Sequence, residues 1–267
     1  KRSFKGVILS NFSGKSLDEL EGEIKISSAS IENDKQTVAL NPMTILQEIE
    51  ENQTLLKIDN NDCIAAEAKG QFETSKLSAL LQHTFHQVYP FLPDKEVAED
   101  QKVSFKLKIY KKLLDALYPS FSISENITLN GRINAEEGRS QFVLDAPLLR
   151  YQDIQFQQLH FQVDTKNPIY NTFLSVAQVS HNYFKGKDFN LISTRLRDTL
   201  FFRSEFESAS ELKTPFDVNF HHTREPNGNS HFILKKSVVP LGSDTWTINP
   251  NNTNQQKLSF YPENKQI

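Results

Sequence analysis

Apolar residues recur at every second position in segment after segment of this chain. In residues 101–110, Val103, Phe105, Leu107 and Ile109 alternate with lysines and serine. Successive side chains of a β-strand point to opposite faces, so this segment predicts a strand with one apolar face and one wet face. Shorter alternating sets follow at Ile127, Leu129 and Ile133; Phe142 and Leu144; Phe216, Val218 and Phe220; and Phe232 and Leu234. Because strands of a buried parallel sheet would show continuous apolar runs instead, we predict a mainly β, antiparallel protein.

The alternation is broken at informative places. Between Ile154 and Val163 the apolar positions change from even to odd numbers. One extra residue there predicts a bulge or a bend in the strand. Residues 191–207 predict two strands on either side of a break at 197–199. Residues 225–228, Glu-Pro-Asn-Gly, predict the turn of a hairpin.

Two segments have helical spacing instead. Residues 75–89 predict an amphipathic helix, with Thr74 or Ser75 as its N-cap and Pro90 as its end. Residues 111–118 predict a shorter helix that stops at Pro119. Neither segment has a dense basic face, which favours packing on the sheet over lying on a membrane surface. The charged residues 93–101 form only a soft boundary, so we treat residues 1–267 as one segment.

Composition excludes several classes of protein and site. The net charge of -3 gives no electrostatic footprint for nucleic acid. No apolar run approaches the ~18 residues that a membrane-spanning helix needs. Cys63 is the single cysteine, which excludes an internal disulfide and a multi-cysteine metal site. We predict that Cys63 is a small buried apolar side chain, not a reactive thiol.

Catalytic and metal-binding patterns are missing from the sequence. There is no Gly-x-Ser-x-Gly turn and no glycine-rich phosphate loop. His83 and His86 can share a helix face, but no acidic residue lies one turn away on that stripe. His221 and His222 are adjacent on a strand and point to opposite faces. We therefore predict a protein that is not an enzyme and has no metal and no cofactor.

Several phrases of the chain resemble one known family, the TamB proteins of translocation and assembly modules, in the form found in Bacteroidota. The opening Asn-Phe-Ser-Gly-Lys-Ser-Leu-Asp-Glu-Leu-Glu-Gly at 11–22 is similar to the start of a family repeat. Residues 57–64 and 68–72 are similar to the strand pair that precedes an amphipathic helix. The most specific matches are residues 166–172, 188–191, 197–206 (Arg-Asp-Thr-Leu-Phe-Phe-Arg-Ser-Glu-Phe) and 246–250.

The resemblance implies a segment of a longer periplasmic protein, with an inner-membrane anchor upstream and a C-terminal end that meets a BamA- or TamA-like outer-membrane barrel protein. It implies a long, curved antiparallel sheet that forms an open, taco-like trough with an apolar inside. Relatives belong with the AsmA-like, bridge-like lipid carriers, so phospholipid is the implied partner. The alternative is a scaffold for the assembly of outer-membrane proteins.

The alternating strands and the family resemblance together predict an apolar groove. A third reading, a carbohydrate-binding β-sandwich, is weakened because Trp246 is the only tryptophan. Each groove residue has a plainer alternative role in closed core packing. The predicted groove residues are Phe105, Leu107, Leu129, Phe142, Leu144, Phe156, Phe161, Leu174, Val176, Leu196, Phe202 and Phe220.

Overall fold

The structure is a computed structural model that describes residues 2–34, 36–208, 215–241 and 244–261. Strands make up 62% of the chain, and they form one large, open antiparallel sheet. Only two short α-helices accompany the sheet in these residues. The predicted fold, a mainly β antiparallel trough with two short helices, is confirmed.

The strands follow one another along the chain with few interruptions. Two helices interrupt the run of strands: α1 (Leu77–Val88), preceded by a 3₁₀ turn (Thr74–Lys76), and α2 (Lys111–Leu117). The strands are β1 (Ser3–Ser13), β2 (Glu21–Glu32), β3 (Thr37–Leu40), β4 (Met43–Glu50), β5 (Gln53–Asp59), β6 (Ile64–Gln71), β7 (Lys102–Tyr110), β8 (Phe121–Ile123), β9 (Asn126–Asn134), β10 (Arg139–Tyr151), β11 (Ile154–Asp164), β12 (Thr172–His181), β13 (Phe184–Leu196), β14 (Thr199–Ser208), β15 (Phe216–Arg224), β16 (Ser230–Leu234), β17 (Ser237–Leu241), β18 (Asp244–Ile248) and β19 (Lys257–Phe260).

The sheet is an antiparallel meander. β2 pairs with β1 on one side, and with β3 and β4 along successive halves of its other side. The order then runs β4, β5, β6, β7, β9 and β10. From β10 each strand pairs with the next as far as β16. The predicted β13–β14 break and the β15–β16 hairpin are confirmed.

One row of apolar side chains crosses most of the sheet. Residues that are directly opposite in a ladder share a face, so the pairing shows which side chains belong together. We call this set the inner row, and we call its side of the sheet the inner face. Its members are Ile24, Ile45, Ile58, Ala66, Leu107, Leu129, Leu144, Phe161, Leu174 and Leu191. Beyond Leu191 the same row continues through Ser204 and Val218.

Both helices pack on the inner face, as predicted. In α1, Leu80 is buried with Phe72 and Val103, and Val88 is buried with Phe142 and Val163. These contacts place α1 at one end of the strands. Helix α2 lies at the opposite end, where Ala116 is buried in a cluster with Ala29, Ile31, Leu40 and Cys63.

The span of α1 shows that the sheet is curled. Leu80 packs in the cluster that contains Val103 of β7, while the Phe91 carbonyl accepts a hydrogen bond from Arg224 at the end of β15. At ~4.8 Å per strand spacing, a flat sheet would separate β7 from β15 by roughly 34 Å. The mostly helical chain from Leu80 to Phe91 can reach only about 22 Å. Contacts of one short helix with strands this far apart in the ladder order fit a sheet that bends around α1, with the inner face as the inside of a trough.

A line of backbone irregularities crosses the middle of the trough. Gln158 and Asp188 have positive φ angles of 51° each. The ladder register places Gln158 between Pro147 and Ala177, and Ala177 beside Asp188, and no pairs form at these positions. We call Pro147, Gln158, Ala177 and Asp188 the break line. Between Ile154 and Val163, where the sequence predicts a bulge or a bend, the structure has a break in pairing at Gln158 without a register shift against β10 or β12, and this break is part of a feature that crosses four strands.

Candidate functional site

The inner face contains a wholly apolar cavity of about 300 Å³. It lies between β11 and β14, on the side of the inner row away from α1. Its walls expose hydrocarbon and no polar surface. The lining residues are Phe156, Leu159, Leu174, Val176, Val179, Phe184, Gly186, Phe189 and Phe206.

The break line explains why the cavity is lined so uniformly. In a regular strand, residues three apart point to opposite faces. At the break line this rule is suspended, and Phe156 and Leu159 of β11 both line the cavity. Val176 and Val179 do the same in β12, and Gly186 and Phe189 do so in β13. Apolar side chains from both sides of the break line therefore line the same cavity.

Because Gly186 has no side chain, open space remains between the neighbouring aromatic rings. A Cβ atom at this position would lie 2.8 Å from Cζ of Phe184, whereas its nearest backbone neighbour, the Glu207 carbonyl oxygen, would be at 3.5 Å. Phe184 itself stands at the rim and is 43% exposed. The cavity therefore has a glycine, Gly186, on its floor and the aromatic ring of Phe184 at its opening.

The predicted groove residues fall into distinct settings. Phe156, Leu174 and Val176 line the cavity. Phe105, Leu129, Phe142 and Phe161 belong to the packed cluster beside Val88 of α1, so they serve the core. Leu107 and Leu144 lie in the inner row. Phe202 and Phe220 stack on each other across β14 and β15 with ring centroids 4.7 Å apart.

Leu196 does not lie in the groove, and its prediction as a groove residue is wrong. The preceding residue, Arg195, points inward and donates hydrogen bonds to the carbonyls of His86 and Gln87 in α1. Leu196 therefore points to the outer face, at the end of β13, where it is 63% exposed. Within β13, the residues beyond the break line that point inward are odd-numbered, as Leu191 shows. The even-numbered Leu196 therefore points outward.

The predicted groove set omits six of the residues that line the cavity. The signal for several of them was present, because Val176 with Val179 repeats the three-residue apolar spacing that Phe156 and Leu159 show. A parity change recognised in one strand could have been sought in its neighbours. The missed residues are Leu159, Val179, Phe184, Gly186, Phe189 and Phe206.

Histidines at the α1 end of the trough are engaged in hydrogen bonds. His83 Nδ1 lies 2.8 Å from Asp94 Oδ1, and its Nε2 accepts from the Gln87 amide at 3.1 Å. His86 Nδ1 donates to the Leu92 carbonyl at 2.7 Å. The acidic partner comes from the loop after α1, not from the helix stripe. Among the described residues, no group of histidine, cysteine and carboxylate side chains could hold a metal ion.

His222 closes the same end of the trough with aromatic rings. It is buried, stacks on Phe232 at 4.0 Å and meets the Phe91 ring at 4.5 Å. Its Nε2 is buried with no hydrogen-bond partner. Burial, aided by the nearby charge of Arg224, lowers the pKa of His222, because the cationic form loses its hydration there.

The outer face has the opposite character. A concavity of about 460 Å³ on this face is lined by Glu48, Glu50, Glu51 and Lys69 among others. Solvated charges of both signs surround it, which suits a wet surface and not an apolar ligand. The contrast between the two faces follows directly from the alternating sequence.

Cys63 is buried, as predicted, in the cluster beneath α2. Burial raises the pKa of its thiol, and the neighbouring Asp62 carboxylate adds to this effect. A thiol with a raised pKa forms little thiolate at neutral pH, so it is a poor nucleophile. The cluster that contains Cys63 shares no residue with the lining of the cavity.

Comparisons with known proteins gave no relative from which a role could be transferred. A scan against protein-family models found no match, and neither the curated proteins nor the solved structures gave a match to this chain. Within the residues that the structure describes, no helix is long and apolar enough to cross a membrane.

Proposed function

We propose that this chain is a non-catalytic segment of a TamB-like, envelope-spanning lipid-transfer protein that shields phospholipid acyl chains between the inner and outer membranes. The observation that carries the proposal is the inner row, which places an apolar residue on each strand from β2 to β13, the short β3 and β8 aside. A continuous apolar row lets hydrocarbon stay out of water at successive positions across the sheet.

The physical basis is the burial of hydrocarbon without directional contacts. Each methylene group removed from water contributes about 0.8 kcal/mol. The wholly apolar cavity supplies such a surface and contains no polar group that would fix one orientation of a ligand. Cargo held in this way can shift along the trough with small changes in free energy, which suits transfer and requires no chemistry. The phospholipid cargo, the periplasmic location and an outer-membrane barrel partner are parts of the proposal that come from the family resemblance.

Site-specific photo-crosslinking tests this function with matched positions. A photo-crosslinking amino acid is placed at Leu174 or Phe202 on the inner face, and at their outer-face neighbours Phe173 and Phe201 as controls. Both control positions are aromatic, and Phe201 is 41% exposed, so apolar character alone does not distinguish the pairs. We expect mass spectrometry to find phospholipid adducts at Leu174 and Phe202 and not at the controls. Equal capture on the two faces would contradict the proposal.

A second candidate function, a scaffold for outer-membrane protein assembly, is favoured by β1. Every residue of β1 is exposed, and within the described residues it pairs only with β2. Its large apolar side chains point to both faces, and Leu9 is 65% exposed. Such an edge can pair with an incoming strand. In the same experiment, a crosslinker at Leu9 that captures unfolded barrel proteins, with no lipid at Leu174, would favour the scaffold.

A further inference from the structure

We infer that the cavity between β11 and β14 is a discrete site for the methyl end of a single aliphatic chain, and that α1 limits this site toward its own end of the strands. The inference rests on the proposed function for the lipid origin of that chain. It adds a location, an orientation and a limit to a groove that would otherwise be uniform.

The size and lining of the cavity define the ligand. Its volume of about 300 Å³ equals that of roughly ten water molecules at ~30 Å³ each, and a methylene group takes up a similar space. The walls expose no polar atoms. A carboxylate or phosphate placed there would lose its hydration without gaining hydrogen bonds. The polar head of a lipid must therefore stay outside, with the hydrocarbon end inside.

Helix α1 sets the limit of the site. Val88 packs in one cluster with Phe142, Val163 and Phe161, so the apolar surface of these residues is already used in the core. The helix is held against the sheet by the buried contact of Thr84 Oγ1 with Ser140 Oγ at 3.2 Å, and by Arg195, which donates to the Gln87 carbonyl at 3.1 Å. An acyl chain entering past Phe184 meets open apolar surface in the cavity and a closed core beyond it.

A single substitution at Gly186 can fill the site. The φ angle of Gly186 is outside the left-handed region, and the only close neighbours of an added Cβ atom are ring atoms of Phe184 at the rim. Gly186→Leu should therefore place a side chain in the cavity while the Phe184 ring moves aside. Lys185→Leu is the matched control, since the adjacent position carries the same new residue on the outer face.

The probes are two forms of palmitic acid, one with a diazirine at the methyl end and one with a diazirine next to the carboxyl group. Each is incubated with the purified full chain, irradiated, and the labelled peptides are mapped by mass spectrometry. We expect the methyl-end probe to label peptides that contain Phe156, Val179 and Phe189, and the carboxyl-end probe to label them much less. Gly186→Leu should lower methyl-end labelling about tenfold, the factor expected when about two methylene groups lose their buried site. Lys185→Leu should keep the wild-type level.

Several outcomes would overturn the inference. These are equal labelling by the two probes, equal labelling of peptides around Phe105 and Phe142, and undiminished labelling of Gly186→Leu. If Gly186→Leu does not fold, Val179→Phe fills the same space from the paired position on β12. Phospholipid capture at Phe202 without methyl-end labelling of the cavity would reject this site alone. Labelling of the cavity without any phospholipid capture would reject the proposed transfer function alone.

Discussion

At the residue scale, the burial of His222 at the closed end of the trough makes the free energy of unfolding depend on pH. The imidazole is buried against aromatic rings, and its pKa is lowered first by burial and then by the charges of Arg224 and His231. His221, on the other face of β15, has a pKa lowered by burial and by Lys235. In the unfolded chain both groups titrate near the ordinary value of ~6.5. The unfolded state therefore binds more protons below that pH, and the free energy of unfolding must fall as the solution is acidified.

Acidification from about pH 7 to about pH 5 should lower the urea midpoint of the wild-type protein, because the unfolded chain takes up protons on these histidines as the pH falls through ~6.5, whereas the folded chain takes them up only at lower pH. His222→Phe keeps an aromatic ring between Phe232 and Phe91 but has no titrating group, so we expect a smaller loss over the same range. Urea unfolding at a series of pH values measures the difference. His181→Phe, at the β12–β13 turn, controls for the removal of one histidine. A pH slope that is the same in His222→Phe and wild type would contradict this account.

At the element scale, α1 is held by partners that come from distant parts of the chain. Its predicted N-cap was wrong: neither Thr74 nor Ser75 caps the helix with its side chain. Instead, the Asp18 carboxylate accepts hydrogen bonds from the backbone N–H and the hydroxyl of Ser75, at 2.7 Å each. At the other end, the Arg195 guanidinium donates to the carbonyls of the last turn. A cation at a helix C-terminus both satisfies free carbonyls and opposes the helix dipole.

Arg195→Met should loosen the C-terminal turn of α1 and lower the free energy of unfolding by about 1–2 kcal/mol, since charge-assisted hydrogen bonds to helix carbonyls are lost. Hydrogen exchange should become faster at residues 84–88 and stay unchanged in β19. Arg203→Met is the matched control, because Arg203 lies exposed on the outer face and pairs with Glu205. An exposed pair of this kind contributes at most about 1 kcal/mol. Equal effects of the two substitutions would argue against a special role for Arg195.

The bounds of α1 could be predicted from the sequence, whereas the hydrogen-bond partners that hold its two ends could not. The helix follows from local spacing of Leu77, Leu80 and Val88. Its capping partners are separated from it by 57 residues at Asp18 and by 109 residues between Arg195 and His86. No local pattern encodes such contacts. The break line shows the same division: the parity change in β11 is visible in the sequence, but its alignment with Asp188 requires the ladder register.

At the scale of the whole molecule, the strand sequences define two faces and the helices define how much of the inner face is free. The inner row is a consequence of alternation combined with an antiparallel register that keeps apolar residues opposite one another. Because α1 and α2 cover opposite ends of the strands, the open hydrocarbon surface is concentrated around the cavity. This explains why a groove predicted from alternation alone includes residues that serve the core.

The same architecture predicts a gradient of local stability across the sheet. β1 is exposed along its whole length and has β2 as its only partner among the described residues, whereas β11 pairs on both sides and carries the buried Val163. Local opening requires less free energy where few apolar contacts are lost. Amide hydrogen exchange should therefore be fastest in β1 and slowest in β10–β12. If β1 is as protected as β11, its edge is covered in solution; protection that disappears on dilution would then identify pairing between copies of the chain.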